Sequence, residues 1–438
     1  SSTTFHCINI FLSISHNLIH TSYPTLFHKA FLFYFPLPSI LPPVSKGRIL
    51  IAAYAFPPGE GGVSMAAYEM AHSLGSRGWD IHVLTRQQDL PEDPSRTRCC
   101  PITALPDSLT DDTKRLKEYL DAFLKDIQPD FIVYHSWSGW CRKELLACAR
   151  EKRLPFFLRS HGMPTNLRSY FRVDYPPFFG MKKWLSSFFQ IRRGILNVHR
   201  ESPLNRLVFL DSYGTPFKGF DYYYCSKLNL SRYVCIPNTF PALKQAVPFF
   251  REKYGLSHAP VFTCPASACN TKRQLLFIRH VKQTKLDNIV FLFLVPQRNS
   301  YAEQMEQAIG DDPRFRILYN LPRPEVEAAI MESAAVFLYS YQEQQPLCIL
   351  EAMSCGTPWF APDVGAVSTL KGGIILKKTS SATLEKTVGT LTDEKFRERR
   401  GHEGLRQWQE QYDPSVVYQQ WEDLLSSIAS SRTPKQKD

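Results

Sequence analysis

Glu343 and Glu351 stand with seven residues between them, around a proline, Pro346, suited to the start of a helix. The spacing leaves Glu343 on a loop and Glu351 inside the expected helix Pro346–Ser354, so one carboxylate faces a ligand from a loop and the other from a rigid element. Free amides at the helix start, near Gln345 and Leu347, suit an oxygen-rich ligand. Gly61 and Gly62 follow a short apolar run and open an amphipathic one, where glycine lets backbone approach a ligand and a helix N-terminus offers N–H groups to phosphate or another anion. His161 follows the expected strand Pro155–Ser160 and should stand at the carboxyl end of a sheet, facing a cleft. His135 ends the strand Asp130–Ser136 and is the competing histidine. The glycine turn is not a G-x-G-x-x-G fingerprint and no acidic residue closes a ribose site after the second strand, which disfavours nicotinamide.

Positioning these groups falls to short apolar runs that alternate with amphipathic stretches. Strands are expected at Arg48–Tyr54, Asp80–Thr85, Asp130–Ser136, Pro155–Ser160, Arg206–Asp211 and Tyr233–Pro237, with a helix over Val63–Gly78. Their apolar runs are continuous, as for parallel strands buried on both faces. A second series follows the link Asn238–Pro248. Its strands are expected at Pro260–Cys264, Asn288–Val295, Phe315–Tyr319, Ala335–Ser340, Pro358–Ala361 and Gly373–Leu376, with helices at Thr271–Lys282, Ala302–Ile309, Arg323–Ser333, Pro346–Ser354 and Ala382–Leu391. Two successive series imply an α/β protein of two doubly wound domains facing a cleft. The domains are read as 46–240 and 241–414, followed by a C-terminal helix over 415–429 that returns to the first domain, and a tail over 430–438.

The stretch around the two glutamates resembles the E-x7-E signature of retaining glycosyltransferases of family 4. The matching positions are Glu343, Pro346, Leu347, Leu350, Glu351, Ala352, Met353, Gly356 and Pro358. The similarity extends to Gly61-Gly62, to Ile236-Pro237-Asn238 and to Asp363-Val364-Gly365, covering roughly 46–430. It implies the GT-B fold, a nucleotide-sugar held mainly by the C-terminal domain, and no metal in the active site. By the same resemblance Glu351 would bind the nucleotide ribose, and Glu343 and the backbone after it would hold the donor sugar near the reacting carbon. A histidine in the place of His161 would lie near that sugar. No D-x-D motif occurs, so the donor pyrophosphate needs side-chain cations. Lys272, expected at a helix start, is the best placed. Where the family usually has an arginine six residues earlier this chain has Ala266, so either Arg273 takes that role or phosphate neutralisation is weaker.

The charge pattern bears on the acceptor. The 438 residues carry a net charge of +11, and 142–232 alone hold 17 Lys and Arg against 6 Asp and Glu, so the remainder is neutral. Within it, Met181, Trp184, Leu185, Phe188 and Ile191 form an apolar helical stripe edged by Lys182, Lys183, Arg192 and Arg193. That suits either an interfacial helix on anionic lipid or a helix packed on the first sheet with a solvated basic edge. No nucleic-acid motif accompanies the charge, so nucleic acid is not expected as a partner. Eleven cysteines without a C-x-x-C pair read as a reducing compartment. Residues 1–45, rich in Phe, His, Pro and Ser with the first methionine at Met65, read as an extension outside the fold, with a membrane-associating arm or a genuine extra element as the alternatives.

Together these features lead to an expected metal-independent retaining glycosyltransferase. It would use a nucleotide-sugar co-substrate with no other cofactor and a glycan or lipid-linked acceptor in cell-envelope glycan or glycolipid synthesis. The expected location is cytoplasmic, including the cytoplasmic face of the membrane. A nucleotide-sugar epimerase of the same architecture and a catalytically silent glycan- or nucleotide-binding protein are the alternatives.

Overall fold

The computed structural model describes residues 45–57, 61–86, 100–109, 111–137, 140–162, 185, 189, 192–210, 230–244, 247, 250–256 and 259–432. The extension read over 1–45 lies outside them except for Ser45.

Seven strands form the first sheet: β1 (Arg48–Ala52), β2 (Asp80–Arg86), β3 (Ile102–Leu105), β4 (Phe131–His135), β5 (Phe156–Arg159), β6 (Arg206–Phe209) and β7 (Tyr233–Cys235). They are all parallel, in the order β3-β2-β1-β4-β5-β6-β7. Both faces are covered, which explains the unbroken apolar runs. On one face Leu50, Ile132, Tyr134, Phe156 and Leu158 pack with helices α2 (Thr113–Ile127) and α3 (Arg142–Glu151). On the other, Ile49, Ile51, Val133 and Phe157 meet α1 (Gly62–Ser76) through Ala67, Met70, Ala71 and Leu74. Sequence reading omitted β3, α2 and α3. Asp112 caps α2, accepting from the amides of Lys114 and Arg115.

The second sheet is β8 (Val261–Pro265), β9 (Val290–Val295), β10 (Phe315–Tyr319), β11 (Ala335–Phe337), β12 (Trp359–Pro362) and β13 (Gly373–Leu376), parallel in the order β10-β9-β8-β11-β12-β13. All six expected strands are present. Between them run α4 (Gln274–Lys282), α5 (Ser300–Ile309), α6 (Arg323–Met331) and α7 (Leu347–Ser354), and α8 (Ser381–Leu391) and α9 (Glu394–Gln407) follow β13. An aromatic seam fills this core: the rings of Phe277 and Phe337 stack at 4.3 Å and those of Phe337 and Phe360 at 5.4 Å.

After α9 the chain returns to the first sheet as α10 (Pro414–Arg432), where Val417, Tyr418, Trp421 and Leu425 join the core on the α1 side. Glu422 anchors the helix there, pairing with Lys46 Nζ at 2.6 Å and Arg77 Nη1 at 3.0 Å and accepting from Trp79 Nε1 at 3.1 Å. In each sheet the strand order reverses once, between β1 and β4 and between β8 and β11. Crevices open at the carboxyl ends of strands at such reversals. No helix among the described residues is long and apolar enough to cross a membrane.

Candidate functional site

The carboxyl ends of both sheets border one cleft of about 720 Å³. The first half contributes Gly61, Gly62, Met65 and His161; the second contributes Ala266, Lys272, Arg323, Glu343, Gln345, Leu347 and Glu351. Gly61 and Gly62 on one side and Glu343 and Glu351 on the other, more than 250 positions apart in sequence, thus meet because they follow β1 and β11, strands at the reversal of each sheet.

Glu343 lies on the irregular segment after β11, and Pro346 immediately precedes the first residue of α7. Its extended backbone and fixed φ start the helix at Leu347; the amides of Ile349 and Leu350 donate back to the Pro346 carbonyl, and those of Leu347 and Cys348 have no acceptor within the helix. Gly365 holds the Glu343 segment from behind. Its φ is +54°, and a Cβ there would overlap the Glu343 carbonyl oxygen. The next amide, Ala366 N–H, donates to the Gln344 carbonyl at 2.7 Å.

Lys272 Nζ donates to Glu343 Oε1 at 2.6 Å. Burial works against its charge, but the adjacent carboxylate outweighs that and holds the ammonium above the usual lysine range. The lysine stands in a turn two residues before α4 begins, not inside the helix expected from Thr271. The reason is Arg273, which takes a left-handed backbone (φ +55°) as the residue preceding α4. Its guanidinium lies over the Tyr341 ring at 5.1 Å, and the residue does not border the cleft.

Glu351 is buried on α7, and Arg323 Nη1 reaches its Oε1 at 3.1 Å. Burial raises this carboxyl above the usual range, and Arg323 counteracts it. Arg323 also pairs with Glu327 at 2.9 Å and lies 4.5 Å above the Phe240 ring. Sequence reading placed Arg323 only as a helix start. The rule that a buried carboxylate needs a cation demands a partner, but which of 52 Lys and Arg supplies it is a tertiary fact.

Gln345 is buried, and its side chain turns to the link between the two halves: Asn238 N–H donates to Gln345 Oε1 at 2.6 Å and Asn238 Nδ2 to its carbonyl at 3.3 Å. Asn238 in turn is held by Arg159 Nη2 at 3.1 Å, and the Arg159 guanidinium lies 5.2 Å from the Trp421 ring centre. Across the cleft, Gly162 (φ +85°) sits so close to Gln344 that a Cβ would come within 2.7 Å of that residue's Cβ.

His161 borders the cleft, while His135 is fully buried behind it, with His135 Nδ1 and His161 Nε2 at 2.9 Å. Burial, then His161 and Arg159, hold His135 well below the usual histidine range, and burial and Arg159 do the same for His161. One further acid belongs to this neighbourhood. Glu69 on α1 is buried with Oε2 unpartnered, and burial pushes it up to about 7, Arg323 opposing and Glu351 adding to the shift.

Of the basic stripe, Lys182, Lys183 and Trp184 lie outside the described residues. Leu185 is 42% and Phe189 58% exposed, and Arg192 and Arg193 are exposed at the start of a helical stretch over 192–201.

Two parallel sheets joined across a cleft, with a final helix crossing back, define the GT-B fold of glycosyltransferases. Residues 60–198 match the model described as Glycosyltransferase Family 4 and residues 259–394 that described as glycosyl transferases group 1. A sucrose-phosphate synthase from Thermosynechococcus elongatus superposes with a TM-score of 0.69 at 15% identity, covering 88% of this chain and 100% of that one. HepE of Anabaena, in complex with UDP and glucose, gives 0.67 at 16% identity over 87% and 100% of the two chains. WaaG, a glycosyltransferase involved in lipopolysaccharide biosynthesis, gives 0.62 at 13% identity over 86% and 99%. No curated protein matches the sequence significantly. One glycosyltransferase model falls in each half of the fold, and together they support a GT-B glycosyltransferase.

Proposed function

We propose that the chain transfers a sugar from a nucleotide-sugar to a glycan or lipid-linked acceptor, with retention of configuration and without a metal in the transfer step, in cell-envelope glycan or glycolipid synthesis. The observation that carries this reading is the pair of ion contacts in one cleft, Lys272 with Glu343 and Arg323 with Glu351. A donor needs three things in a row: a polar anchor for ribose, a cation for diphosphate and a carboxylate near the sugar. Glu351 would anchor the ribose hydroxyls. Lys272 would exchange Glu343 for phosphate and stabilise the charge that grows on the leaving diphosphate as its bond to the sugar breaks. Freed of the lysine, Glu343 would orient sugar hydroxyls and stabilise oxocarbenium character at the reacting carbon. The α7 amides complete the donor cradle.

An acceptor hydroxyl would enter from the side of the first sheet and attack on the face from which diphosphate departs, passing its proton to a departing phosphate oxygen. Closure over the cleft excludes water and aligns the reacting atoms. HepE, solved with UDP and glucose, and WaaG, involved in lipopolysaccharide biosynthesis, support the donor and acceptor classes. Exposed Leu185 and Phe189 beside Arg192 and Arg193 support an approach to anionic lipid. The test is product analysis across a nucleotide-sugar panel, with and without acceptors. An α-linked donor should yield an α-linked product, and Glu343→Ala should abolish it. An inverted product, a donor epimerised without acceptor, or nucleotide binding without turnover would each refute the reading. Reversing the charges of Arg192 and Arg193 should release the protein from anionic vesicles in sedimentation, and unchanged sedimentation would remove lipid from it.

A further inference from the structure

The two histidines face each other nitrogen to nitrogen, with rings stacked at 5.0 Å and 23°. At 2.9 Å, His135 Nδ1 and His161 Nε2 share one hydrogen, so one ring donates and the other accepts. The other nitrogen of each ring decides which. His135 Nε2 is buried and has no hydrogen-bond partner. A proton there would leave a buried N–H unpaired, the rarer and costlier of the two arrangements. His135 also sits in register with Arg159 on the adjacent parallel strand, so both side chains lie on the same sheet face. Arg159 Nε and Nη1 are themselves buried donors without a partner. A guanidinium beside His135 favours a bare lone pair at Nε2 over another N–H. The proton of His135 therefore belongs on Nδ1, directed at His161 Nε2.

We propose that His135 is a positioning residue that holds His161 as the Nδ1–H tautomer, so that His161 offers the cleft a hydrogen-bond donor and not a base. No described protein group bonds His161 Nδ1, and the residue borders the cleft, so that N–H is available to a hydroxyl or ring oxygen of a bound sugar. The role of the donor rests on the transferase reading; the tautomer does not.

Nitrogen-15 spectra of histidine-labelled, ligand-free protein between pH 6 and 8 test the tautomer directly, with His161→Asn and His135→Phe supplying the assignments. The expected spectrum has a protonated Nδ1 and a bare Nε2 on His161, unchanged over that range. A protonated Nε2, or an imidazolium, overturns the proposal. In turnover assays His135→Phe should lower kcat at least about tenfold with little change in donor KM, and His135→Gln, which keeps a donor, should recover most of it. Equal activity of His135→Phe and the unaltered protein, or equal loss in both variants, also overturns it. Where a variant does not fold, the spectrum of the unaltered protein decides alone. An inactive protein with the expected tautomer refutes the transferase reading and leaves this inference standing.

Discussion

At the scale of single residues the cleft is a set of charges that satisfy one another until a ligand arrives. Lys272 pairs its charge with Glu343, and in the proposed reaction a diphosphate would displace that carboxylate. Glu343→Gln should therefore abolish transfer, at least about 100-fold in kcat, while tightening nucleoside diphosphate binding about threefold or more in calorimetry. Equal weakening of both would mean that Glu343 only shapes the site. Glu69 makes a second test. Its carboxyl, pushed up to about 7 from 4.5 by burial, favours the protonated folded state. Its contribution is fully present below about pH 4.5 and is lost as pH rises through 7. Glu69→Gln should leave stability at pH 4.5 unchanged and add about 1–3 kcal/mol at pH 8, read from denaturant unfolding at the two pH values. That Glu343, Glu351, Lys272 and His161 border the cleft was legible from residue type and neighbours. Arg323 and Glu69 were not, because nothing local to either residue records the carboxylate it faces.

At the scale of elements, the segment from Glu343 to Leu347 is held from two sides. Gly365 and Ala366 support its backbone, and Asn238 grips Gln345 through one amide and one side-chain donor. Gln345, expected beside a ligand at the helix start, spends its side chain on the segment joining the halves. Gln345→Ala leaves the buried Asn238 amide without its acceptor and should cost about 1–3 kcal/mol. Donor affinity should fall with it, as calorimetry on the folded variant would show. Continuous apolar runs made the second sheet readable strand by strand. The omitted α2 and β3 are different: Ile102–Leu105 is a short edge strand with one fully buried side chain, and α2 buries only Leu116, Leu120, Leu124 and Ile127 among charged neighbours.

At the scale of the whole molecule, the C-terminal helix belongs to the first sheet although it follows the second. Trp421 is fully buried there, against Phe157 at 6.5 Å and beneath the Arg159 guanidinium. Trp421→Ala should cost about 3–5 kcal/mol. It should also loosen Arg159, and with it Asn238, so that thermal stability and donor affinity fall together; a loss of stability alone would show the two halves to be uncoupled through this route. By itself the sequence determined the two series of buried strands, the glycine turn, the loop-and-helix placement of Glu343 and Glu351, and the local charge excess over 142–232. Each is a property of residues near one another in the chain, where periodicity, turn chemistry and composition act. Only the tertiary structure decided that Lys272 meets Glu343, that Arg323 meets Glu351, that His135 stands behind His161, and that Arg273 turns to Tyr341. Those pairings are set by strand order and by the packing of two halves across a cleft, and partners that find each other through space leave no spacing rule along the chain.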